Sequence, residues 1–274
     1  MRTPSPERFS TLFLLTSMLT LLLTFTLCLF GALFPLFLWI VDKEKLVINI
    51  HRFVLGLALS AATSGILLTF SLGLERTLMV PGFVWLISLF AVTLFFWGRP
   101  WAATWVVTIP SMVGTIFFAR VLGHLINADL ISILVLILGG LILSGSLFAM
   151  ILGHWYLNVV NLPISLLRSA TRSILFFLSL RTVWNVFALF SQSVNANGFE
   201  ISLTEFLWTL EGIFLWCGIF FGTFLPLVLS YLALRTVAIH STQSATGLLY
   251  VLVISVLMGD LFYKFYSIQY ALFL

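Results

Sequence analysis

Charge is what this 274-residue chain has least of: thirteen Lys and Arg and nine Asp and Glu, 8% of the residues, against 61% hydrophobic. A soluble domain carries roughly a quarter charged residues, so a water-solvated surface is excluded over nearly all of the chain. The net charge of +4 is small and spread out, without the basic stripe that nucleic acid needs. Cysteine is limited to Cys28 and Cys217, isolated in separate apolar runs. That excludes a disulfide framework and a cysteine-based metal motif. No nucleophile motif or metal-ligand spacing is present either, which argues against a stand-alone enzyme acting on lipid. Alternation of polar and apolar residues is missing too, and with it the signature of a β-barrel.

What the chain does have is eight continuous apolar runs, approximately 10–40, 50–74, 78–97, 101–126, 129–156, 163–194, 203–238 and 242–272. A helix crossing a bilayer needs about 20 mostly apolar residues, and every run meets that. The expectation is an all-α, polytopic integral membrane protein, a single transmembrane domain over 1–274 with eight helices in one bundle. Asp42-Lys43-Glu44-Lys45, Glu75-Arg76, Gly98-Arg99-Pro100, Asn127-Ala128-Asp129, Asn161-Leu162-Pro163, Asn195-Ala196-Asn197-Gly198 and His240-Ser241-Thr242-Gln243 separate the runs. Links this short make neighbouring helices antiparallel and leave no room for a soluble catalytic domain. The first run exceeds the roughly 7–15-residue core of a signal peptide and reads as a retained helix. Pro35, Pro110 and Pro226 lie inside runs, where each removes a backbone donor and favours a bend. No internal repeat of the kind that marks many secondary transporters is visible.

The basic residues of the links set an orientation. Links 1, 3, 5 and 7 and their flanks carry Lys43, Lys45, Arg52, Arg99, Arg168, Arg172 and Arg235; this face is called B. The opposite face, A, carries both termini with Arg2, Arg8, Arg76 and Arg120, and link 6 there holds Glu200 and Glu205. The excess predicts face B in the cytoplasm and both termini outside, as in a bacterial inner membrane.

Five charges fall within apolar runs: Arg120, Arg181, Glu211, Asp260 and Lys264. A charge in hydrocarbon is costly and rarely idle. At 1.5 Å per residue, Arg181 lies about 27 Å along the sixth run from face B, and Asp260 reaches a similar depth along the eighth. Lys264 is one turn further on, and Glu211 is about 12 Å in from face A if the seventh run is helical from 203. Arg120 comes to the same side, and Asn185 sits one turn beyond Arg181. Two readings stand. One is a salt-bridge network tying four helices together. The other is a ligand site in which Glu211 or Asp260 exchanges a proton while Arg181, Lys264, Arg120 and Asn185 bind an oxygen of a quinone or other ligand.

His51, His154 and His240 collect at face B, and His124 at face A. His51 and His154 are the best pair for axial ligation of a b-type haem or a chlorophyll; interfacial histidines bonded to loops or headgroups are the alternative. Gly153-His154-Trp155-Tyr156-Leu157-Asn158 reads as an aromatic belt or as a pocket in which His154 and Tyr156 hold a headgroup. Arg168, Arg172 and Arg235 form a basic rim suited to anionic lipid. Thr242-Gln243-Ser244-Ala245-Thr246-Gly247, and Gly139-Gly140 with Ser144-Gly145-Ser146, read as small-residue packing faces.

The last run, Met258-Gly259-Asp260-Leu261-Phe262-Tyr263-Lys264-Phe265-Tyr266, together with eight helices and tiny links, resembles the membrane-anchor subunits of dimethyl-sulfoxide-reductase-type and polysulfide-reductase-type complexes. The likeness covers one helix plus the topology. It implies quinone binding and electron passage to an iron–sulfur partner outside the bilayer. The sequence reading is therefore an integral subunit of an electron-transfer complex, binding quinone (haem b or chlorophyll being less favoured) between helices and surrounded by lipid and other membrane subunits. A proton-coupled transporter or channel, or a non-catalytic structural or pigment-holding subunit, are the alternatives.

Overall fold

The computed structural model describes residues 6–42, 49–126, 128–159, 162–196 and 199–274. Of the residues weighed above, Arg2, Lys43, Glu44, Lys45, Asn127, Asn161, Asn197 and Gly198 lie outside that set. Among the described residues, eight helices are long and apolar enough to cross a membrane. The first combines α1 (Pro6–Leu33), a 3-10 turn (Phe34–Phe37) and α2 (Leu38–Asp42). Pro35 lies in the first turn of that 3-10 segment, where the α-helical pattern is interrupted. Then come α3 (Ile50–Ser71), α4 (Arg76–Trp97), α5 (Thr104–Ile126), α6 (Leu130–Asn158) and α7 (Ile164–Ser191). A two-stranded antiparallel hairpin follows, β1 (Ser193–Ala196) with β2 (Phe199–Ser202), then a single turn, α8 (Leu203–Phe206). The seventh long helix joins α9 (Leu215–Ile219), a π-helical turn (Phe220–Phe224) and α10 (Leu225–Ala238); α11 (Thr242–Tyr270) is the eighth.

The seventh helix begins at Leu215 rather than near 203, for a local reason. Ser202 and Glu205 form a capping box that starts α8. Thr209 then interrupts the run: its hydroxyl donates to the Phe206 carbonyl at 2.7 Å and accepts from Gly212 N at 3.0 Å. These bonds take the place of a helical ladder. Gly212 presses so close that a β-carbon there would stand 1.8 Å from Phe206 O.

Packing divides the bundle into two groups. Helices α1, α3, α4 and α5 contact one another in series, and α6, α7, α10 and α11 form the second group. Helix α1 joins them through α6 and α11. The small-residue faces do pack: Gly140 lies against Leu29 and Leu33 of α1, and Gly153 against Thr246 of α11. In the second group, α11 crosses the π-helical turn at Gly222 and Gly259, where a β-carbon on Gly259 would be 2.0 Å from Gly222 Cα. Pro226, without an N–H, follows that turn; Leu225 N donates back to Phe220 O. The Phe221 carbonyl, left without a main-chain donor, accepts from Ser255 Oγ of α11 at 2.8 Å.

Candidate functional site

Three of the five misplaced charges meet. Arg181, Asp260 and Lys264 are 2%, 3% and 1% exposed. Lys264 Nζ donates to Asp260 Oδ2 one turn earlier on α11, and to Thr26 Oγ1 of α1 at 3.1 Å. Arg181 on α7 lays its guanidinium over the Tyr263 ring, 4.6 Å from the centroid, and Nη2 lies 3.4 Å from the Val135 carbonyl of α6. Beneath them Asn185 Nδ2 donates to Tyr263 OH at 2.8 Å and to Thr223 Oγ1 at 3.0 Å, and those two hydroxyls are 2.7 Å apart. Among the described residues, Arg181 Nε and Asn185 Oδ1 have no partner. Two cations flank one carboxylate here and Lys264 alone is paired with it among the described residues, in surroundings where an uncompensated charge is strongly disfavoured.

Two predicted members of the layer are elsewhere. Glu211 is exposed in the turn segment between α8 and α9, since the helix that was to carry it inward starts four residues later. Its main-chain oxygen accepts from Tyr266 OH at 2.5 Å, and its Oε2 lies 3.3 Å from Tyr270 OH. Arg120 is exposed near the end of α5 and joins none of the cluster's bonds among the described residues.

The histidines engage separate neighbours. His51 is buried, with Nε2 at 3.3 Å from the Phe96 carbonyl; His154 is exposed, with Nδ1 at 3.3 Å from Tyr250 OH. Each ring is therefore bonded to a group other than its partner histidine, and axial ligation by the pair stays an expectation of the sequence. Tyr156 donates to the Pro163 carbonyl and fastens the α6–α7 link, a packing role. Among the described residues no group of three or more His, Cys, Asp or Glu could hold a metal ion.

An apolar groove of about 690 Å³ opens on the other face of α11. Met258, Leu261, Phe262 and Phe265 form its floor, Leu22 of α1 one wall, and Phe214 and Leu210 of the turn segment the other. Glu211, Tyr266 and Tyr270 close its end toward face A. From Met258 to Tyr270 the groove follows about 18 Å of helix. Sequence reading missed this site. The Tyr266–Tyr270 pair one turn apart was a usable signal, but the wall from Leu22 and the turn segment had none.

No family model, curated protein or solved structure matches this chain. The site therefore has to speak through its own chemistry. Its volume lies within the roughly 300–1,000 Å³ of ordinary small-molecule pockets. Its lining suits an apolar or aromatic body, and its one carboxylate and two phenols suit a polar end at the depth where a helix meets water.

Proposed function

We propose that the protein is an integral subunit of a membrane electron-transfer complex. A quinone-class molecule lies in the groove along α11, and Glu211 exchanges protons with water at face A. The groove ending on Glu211 and Tyr270 is the observation that carries this reading. Phe214, Phe262 and Phe265 suit an aromatic ring, Leu22 and Met258 suit a prenyl tail directed toward mid-membrane, and Tyr270 orients the carboxylate. Face B lies in the cytoplasm of a bacterial cell and both termini lie outside, in keeping with Arg52, Arg99, Arg168, Arg172 and Arg235 at one end of the bundle. A redox partner at face A then takes up the electrons. The Arg181–Asp260–Lys264 cluster, closed to solvent, ties α1, α6, α7 and α11 beneath the groove.

The test is solvent extraction of the purified protein with mass identification of what is bound, together with titration of a short-tailed quinone into protein in lipid nanodiscs. Quinone in the extract and saturable binding are expected. Met258→Trp fills the groove and should weaken binding at least about tenfold, the cost of lost apolar burial and fit. Phospholipid alone in the extract, with no saturable binding, overturns the reading.

A further inference from the structure

Asp260 faces two cations and bonds to one. Its Oδ2 accepts from Lys264. Its Oδ1 and Arg181 Nη2 each stand 2.9 Å from the point where a β-carbon on Gly139 would be. Both groups thus border the space that Gly139 leaves empty, without closing an ion pair. Arg181 instead has the Tyr263 ring, one carbonyl bond at 3.4 Å and an unpartnered Nε. The groups that bond to or face the three charges are Thr26 of α1, Gly139 and the Val135 carbonyl of α6, and Tyr263 of α11, whose hydroxyl is bonded by Asn185 of α7 and Thr223 of the π-helical turn. Asp260 is the one carboxylate in that set.

We propose that Asp260 is an exchangeable counter-ion, which crosses the Gly139 space to pair with Arg181 and returns to Lys264. A lone carboxylate between two buried cations has two alternative partners, and only a glycine between them leaves the path open. The exchange is felt at α1. Lys264 also donates to Thr26, and Thr26 Oγ1 donates to the Leu22 carbonyl one turn back at 2.8 Å. Leu22 is the α1 wall of the groove. With Asp260 on Arg181, Lys264 keeps its bond to Thr26 but loses its anion, which leaves an uncompensated cation at the α1–α11 contact beside that wall. This holds whatever occupies the groove.

The experiment is solid-state NMR of the full chain in lipid bilayers, with labelled Asp and Arg, reading the distance from the Asp260 carboxyl carbon to the Arg181 guanidinium nitrogens. The chain has three Asp, at 42, 129 and 260, so Asp260→Asn assigns the signal. In Lys264→Met the carboxylate should close on Arg181 to within about 4 Å. Its unfolding constant should change by less than roughly tenfold, whereas Asp260→Asn, which strands two cations, should change it by roughly a hundredfold or more. Adding Gly139→Ala to Lys264→Met should hold the two groups apart again. The proposal is overturned if Lys264→Met leaves the distance as in the parent, or is as unstable as Asp260→Asn, or does not fold, because Arg181 is then no substitute partner.

Discussion

At the scale of single residues, Arg181 and Asn185 show what burial asks of a polar side chain. Arg181 meets an aromatic face and a carbonyl, and Asn185 spends both amide protons on Tyr263 and Thr223. Asn185→Leu strips donors from two buried hydroxyls and should cost about 1–3 kcal/mol in unfolding measurements. Asp129 is the contrasting case at the water-exposed start of α6. The Ser132 hydroxyl and, at 2.9 Å, Ser132 N bond its side chain, and those bonds hold its carboxyl below the usual range. Because the folded value is the lower one, the stabilisation is present at neutral pH and is lost as pH falls through the carboxylate range. Asp129→Ala should therefore flatten the acid limb of the stability curve slightly, and an unchanged limb would contradict this. The three charges that meet were visible in the sequence because each interrupts an apolar run. Tyr263 and Thr223 were not, since a Tyr or Thr in such a run has many possible surroundings.

At the scale of elements, the π-helical turn before Pro226 sets the α10–α11 contact. Proline removes one donor, the widened turn redirects another, and the freed Phe221 carbonyl is met by Ser255. Ser255→Ala leaves that carbonyl unsatisfied and should destabilise by about 1–3 kcal/mol. Gly259→Ala, forced against Gly222, should cost at least as much through overpacking. Thermal unfolding in detergent reads both. The interruption at Pro35 and the packing roles of Gly140, Gly153 and Thr246 were legible, because proline geometry and small-residue contacts act locally. The position of Glu211 was not. Thr209 and Gly212 end the helical ladder through side-chain bonds and a tight contact, and an apolar run shows neither.

At the scale of the whole molecule, the groove depends on segments far apart in the chain: Leu22, the turn segment around Glu211, and α11. Under the proposed function, Glu211→Gln should slow the proton uptake that accompanies quinone reduction while leaving binding itself within about tenfold, since the ring and tail contacts remain. The proposed orientation has its own check. In a chain with Cys28 and Cys217 replaced by alanine, Glu200→Cys should react with an impermeant thiol reagent in intact cells, and Arg235→Cys only after the membrane is opened. The reverse labelling would invert the topology.

Length, apolar continuity and short links by themselves determined that the chain forms eight long helices in an antiparallel series, because a helix satisfies its own backbone and 20 or so apolar residues leave few other choices. They also determined that Arg181, Asp260 and Lys264 would share a depth, since rise per residue is constant. Which face of α11 meets the cations and which meets the groove was decided only by tertiary packing. So was the removal of Glu211 and Arg120 from the layer. Depth along a helix follows from counting residues, whereas rotation about its axis and the contacts it makes follow from how neighbouring helices fill space.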